Sequence, residues 1–170
     1  MVKALYCLNQ IMKLSPLIKG IITAIVMICV SIATFYGLPQ SSPLHYIVFA
    51  IYAIGIIWTL ITYRNSPAWS GKFVDSFSTG FKCFIVATLL MVLYTFIFNK
   101  IHPEFAENSA RLFKEQQLKE HNKMPDEIDA DTARYKNGYA TAVVYGSIFG
   151  YLIIGAIVTA VASLIITRRK

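Results

Sequence analysis

A chain of 170 residues that is 56% hydrophobic and only 15% charged, with a mean hydropathy of +0.55, lies outside the composition of ordinary soluble domains. Its net charge of +7 would point to nucleic acid if Lys and Arg formed a solvated patch. They lie instead at the ends of apolar runs, with no basic stripe and interleaved aromatics left for DNA or RNA, so the expected partner is the lipid bilayer and not nucleic acid.

Residues 1–15 place Leu5, Leu8, Ile11 and Met12 at helical spacing, with Lys3 and Lys13 elsewhere on the wheel, as in a helix lying in the membrane plane. Pro16 suits the start of a new helix, and the apolar run over residues 17–37 is long enough to cross ~30 Å of hydrocarbon. Lys19, one turn in, is expected to snorkel to the headgroups. The basic start and the small pair Ser31 and Ala33 resemble a signal peptide, but the run is too long and its leading segment too extended, so an uncleaved first span is expected. The uncharged link 38–43, with Pro39 and Pro43, ends this helix and admits a second span over residues 44–63. His45, Tyr46, Trp58 and Tyr63 give that span the aromatic placement of an interfacial belt.

A turn-rich basic loop follows over residues 64–72. Phe73, Phe77, Phe81 and Phe84 then recur at helical intervals beside Asp75, Gly80 and Lys82, which predicts a helix that starts along the interface and spans over residues 82–101. The chain turns at His102-Pro103 into a charged segment over residues 102–138. Pro103-Glu104 predicts a helix start, and Phe105, Leu112 and Phe113 form an apolar stripe, a candidate interaction surface that either covers the outer ends of the spans or binds a partner. Residues 122–125 predict a break. Asp126-Glu127 then opens a further helical stretch that runs on into a fourth span over residues 139–167. No internal repeat is visible, and the spans hold almost no ionisable groups away from their ends, which weighs against an ion-coupled carrier.

Four spans create two sides, and the basic residues assign them. Lys3, Lys13, Lys19, Arg64, Lys72, Lys82, Arg168, Arg169 and Lys170 share one side with a single acid, Asp75, and that side is expected to be cytoplasmic, with both termini. The opposite side holds the uncharged link and the 102–138 segment, whose basic and acidic residues nearly cancel.

Few motifs suggest chemistry. Gly146 and Gly150 form a GxxxG in the last span, followed by Gly155, Ala156, Ala160 and Ser163; small residues one turn apart let helix backbones approach, whether within the chain, in a homodimer or with a partner's helix. His102, Glu104, Glu107 and His121 lack the spacing of a zinc site, and Cys7, Cys29 and Cys83 are widely separated packing residues rather than a disulfide or metal set. No nucleophile, base and orienting acid fall at recognisable spacing, and no Gly-rich phosphate loop is present; no enzyme, metal or cofactor is expected.

Tyr63-Arg64 closes the second helix, Phe77 through Gly80-Phe81-Lys82 opens the third, and Tyr94-Thr95-Phe96-Ile97-Phe98 is followed by Ile101-His102-Pro103. With the Met124-Pro125-Asp126-Glu127-Ile128 break and the glycine-bearing last helix, the chain resembles the bacterial family known as domain of unknown function four-one-nine-nine, from about the first span to the end. The resemblance implies a four-span layout and a bacterial inner membrane, chiefly in Bacteroidota, and brings no established activity or catalytic residues. The expectation is an all-α integral membrane four-helix bundle with a helical extracytoplasmic excursion between helices three and four. The expected role is that of a non-enzymatic accessory or interaction component of the cell envelope, the alternative being a small transporter or channel formed by self-association.

Overall fold

The computed structural model describes residues 14–37, 46–120 and 124–168. Within them the chain is all-helical: α1 (Pro16–Gly37), α2 (Ile47–Arg64), α3 (Phe73–Ile101), α4 (Glu104–Glu120) and α5 (Pro125–Arg168). The in-plane helix expected over residues 1–15, the link 38–43 and the break after residue 120 fall wholly or largely outside the described residues.

Helix ends follow local chemistry. Pro16 occupies the first position of α1, where a missing N–H costs nothing, and the Ser15 Oγ accepts from the Ile18 N–H at 3.4 Å. Ser70 donates to Asp75 at 2.5 Å and accepts from the Lys72 N–H at 3.3 Å, which organises the entry to α3. Gly71, at φ +71°, supplies the left-handed residue that this turn requires. Glu104 and Glu107 lie in the first turn of α4, and Asp126 and Glu127 in that of α5, complementing the helix dipoles. At α5, the Glu127 carboxylate accepts from the Met124 N–H at 3.4 Å, the backward half of a capping box.

α1, α2, α3 and α5 are each long and apolar enough to cross a membrane. α5 has 44 residues, about twice what one span needs. The start of α3 and the charged first half of α5 are continuous with their apolar stretches rather than separate helices; neither junction carries a proline, and Gly80 and Gly138, which lie there, stay helical.

The chain forms two compact units, residues 1–91 with 150–170 and residues 92–149. In the first unit α1, α2, α3 and the second half of α5 pack up-down-up-down. Thr23 meets Gly55, Leu60 and Thr159 meet Gly80, and Tyr52 and Phe84 meet Gly155, so sequential neighbours run antiparallel. Ala24, Met27, Tyr52, Ile56, Leu60, Cys83, Phe84, Ala87 and Met91 fill the interior. Ile25, Ile54, Leu89 and Ile153 point outward and are more than half exposed, one on each helix. A bundle with an apolar outer face on every helix has lipid as its natural solvent, and the chain is a multi-pass membrane protein.

In the second unit, α4 is fastened to the first part of α5. Phe113 stacks on Tyr135 with centroids 4.7 Å apart and rings only 3° from parallel. Lys136 bonds Glu107 at 2.8 Å, and Lys114 pairs with Asp129. Among the described residues of this unit, only Ala110 and Ile128 are buried apolar side chains, so the aromatic stack carries much of the apolar contact between the two helices.

Candidate functional site

Two features of the first unit deserve description as sites: a hydroxyl cluster at mid-bundle and a cavity at one end. The fully buried Tyr52 hydroxyl lies 2.8 Å from Thr88 Oγ1, and donates toward the Tyr151 carbonyl at 3.2 Å or the Phe84 carbonyl at 3.4 Å. One side chain thereby ties α2 to α3 and α5. Gly155 makes room for it, since a Cβ there would sit 2.5 Å from the Tyr52 hydroxyl and 2.8 Å from the Phe84 ring. This is a structural clasp, in which the Tyr52 hydroxyl is taken up by bonds between helices.

The cavity, of about 460 Å³, opens where α1 begins, α2 ends and α3 begins. Lys19, only 3% exposed, lines it together with Ser15, Thr59, Thr62, Asn65 and Thr79. Its ammonium lies 5.6 Å from the Trp58 ring centroid, a cation–π distance. The lysine expected to snorkel to the headgroups is buried at the bundle end where this cavity opens. Gly20 makes this possible, because without a Cβ α1 approaches α3 until the Cys83 carbonyl lies where that Cβ would be, at 2.5 Å. Sequence reasoning missed this site. The available signal was a set of hydroxyl and amide residues recurring at facing helix ends, Thr59, Thr62, Asn65 and Thr79, beside a lysine set one turn inside a span.

Most lining hydroxyls have committed their protons. Thr59 donates to the Gly55 carbonyl at 2.9 Å, Thr62 to the Trp58 carbonyl at 2.6 Å and Thr79 to the Asp75 carbonyl at 2.8 Å. Thr59 Oγ1 is also engaged by Cys83 Sγ at 3.2 Å, so Thr62 and Thr79 offer lone pairs to the cavity, while the Lys19 ammonium and the Asn65 amide supply donors. The wall carries one positive charge and no carboxylate.

The residues singled out in the sequence are distributed differently. Gly155 is buried at the meeting of α2, α3 and α5, and the half-buried Ala156 follows it. A Cβ on Gly146 or Gly150 would meet nothing within 4 Å among the described residues. The inward stripe of α5 is Tyr151, Gly155, Thr159 and Ser163, one position round from the GxxxG. Thr159 Oγ1 and Ser163 Oγ are buried without a hydrogen-bond partner among the described residues.

Of the candidate interaction surface, Phe105 packs on Phe98 and His102, Phe113 is taken up by Tyr135, and Leu112 stands 61% exposed. His102 Nδ1 and Glu104 Oε1 are 2.6 Å apart. Glu104's own backbone N–H, followed by the His102 ring, holds its carboxyl below the usual carboxylate range. Among the described residues no group of three His, Cys, Asp or Glu side chains is placed to hold a metal.

Residues 18–168 match the model of a family described as protein of unknown function (DUF4199). No curated protein matches the chain, and no solved structure does.

Proposed function

The chain belongs to that family of unknown function, and since membership brings no activity with it, we propose from the geometry that the protein is a non-enzymatic accessory component of the bacterial cell envelope. In this reading it resides in the inner membrane with both termini in the cytoplasm, and its charged two-helix excursion engages another membrane or envelope protein. The observation that carries the proposal is the fastening of α4 to α5. Phe113, Tyr135 and two flanking ion pairs give a segment with almost no core a defined shape, which leaves Leu112 outward on a charged helix. A segment that only linked two spans would need no such stapling.

A photo-reactive residue at position 112, introduced into the protein at native expression, tests this. Cross-linking to one foreign protein of defined mass is expected. Cross-links confined to the chain itself or to a second copy would overturn it.

The alternative, a small transporter or channel formed by self-association, draws support from the open space beside Gly146 and Gly150, where a second helix has room to approach. Reconstitution of the purified protein into liposomes separates the two readings. Solute or ion flux from the protein alone favours the alternative, and silence across a broad panel favours the accessory role.

A further inference from the structure

The cavity lined by Lys19 has features that the accessory role does not use. Its volume, about 460 Å³, is that of a small-molecule site. Its wall is positive, and Ser15 and Pro16 bring the N-terminus of the 22-residue α1, the positive end of that helix dipole, to the same space. The Lys19 side chain lies buried against the Trp58 ring at the cavity wall, where its charge is screened less than that of a surface lysine. Arg64 and Lys72, both exposed, stand at the same bundle end and add to the attraction for an anion.

The lining is also rich in acceptors. The lone pairs of Thr62 and Thr79 suit hydroxyl donors on the ligand, a need that inorganic phosphate does not meet as well as a polyol phosphate. Leu17, Ile18 and Ile61 are exposed apolar side chains on the same helix ends, and they offer acyl chains a surface beside the cavity. We propose that this cavity binds the headgroup of an anionic phospholipid whose phosphate carries a polyol such as glycerol. The phosphate accepts from Lys19 and Asn65, and the polyol hydroxyls donate to the threonines. Positive pockets between spans are general sites for anionic headgroups, and here the hydroxyl acceptors add selectivity.

Native mass spectrometry of the full chain in detergent, titrated with phosphatidylglycerol, phosphatidylcholine or soluble glycerol phosphate, tests the proposal. Phosphatidylglycerol is expected to be retained about tenfold more tightly than phosphatidylcholine, whose phosphate is the same but whose choline donates no hydrogen bond to the threonines and brings a cation to a positive wall. Lys19→Gln should weaken retention of phosphatidylglycerol about tenfold, the worth of one charge-assisted hydrogen bond, and Lys19→Arg should keep it. Asn65→Ala, at an exposed position where folding is not at stake, should weaken phosphatidylglycerol by about threefold, the worth of one ordinary hydrogen bond. Equal retention of both lipids by the wild-type protein, or unchanged retention of phosphatidylglycerol in both Lys19→Gln and Asn65→Ala, would overturn the proposal. Displacement of the lipid by equimolar glycerol phosphate would overturn the lipid as the source while leaving the phosphate chemistry.

Discussion

An alanine at position 20 would place its Cβ 2.5 Å from the Cys83 carbonyl oxygen, a backbone atom that can retreat only if α1 or α3 moves. Gly20→Ala is therefore expected to lower the stability of the detergent-solubilised protein by about 1–3 kcal/mol, read as a fall in thermal midpoint. Gly150→Ala, whose Cβ would enter open space, should leave the midpoint unchanged; equal losses for both would contradict this packing. The GxxxG pattern is legible because it is a property of one helix, whereas Gly20 and Gly80 matter through what faces them on other helices, which a linear pattern does not reveal. Tyr52 poses a related test. Tyr52→Phe keeps the ring and removes the hydroxyl shared among Thr88, Tyr151 and Phe84, and should cost about 0.5–1.5 kcal/mol in the same assay. No change would mean that the hydroxyl is not a clasp.

α4 and the start of α5 are held by few contacts, and those contacts define what can be broken. Phe113→Ala removes a parallel ring stack worth about 1 kcal/mol beyond its area, and should make α4 susceptible to limited proteolysis while the thermal midpoint of the four-helix unit holds. Protection equal to wild type would show that the ion pairs suffice. The apolar stripe Phe105, Leu112 and Phe113 was legible as a stripe, since amphipathic spacing marks the face that avoids water. What covers that face was not, and two of its three members are covered within the chain. Glu104 adds a pH dependence. Its pKa is depressed in the fold, so its contribution is complete above the ordinary carboxylate pKa of about 4 and is lost as pH falls through the lower folded value. Protection from hydrogen exchange at the start of α4, taken relative to the intrinsic rate at each pH, should therefore fall at acid pH in the wild type, and Glu104→Gln should flatten that dependence; identical profiles would remove Glu104 from the account.

For the whole molecule, the four spans were legible because hydrocarbon imposes one requirement on every helix that crosses it, a run of about 20 apolar residues, and composition alone reports it. The burial of Lys19 was not legible, since a lysine near a span's end satisfies the same hydropathy whether it faces headgroups or a cavity. The same indifference hides partners, because lipid-facing and partner-facing surfaces are equally apolar. The functional reading therefore turns on assembly. Gentle detergent extraction from the source cell at native expression, followed by the mass of the intact complex and identification of its subunits, tests it most directly. The account predicts a stoichiometric foreign protein bound to the wild-type chain and lost from a Leu112→Asp variant that still inserts. A homogeneous assembly of this chain alone, unchanged by that substitution, would contradict it.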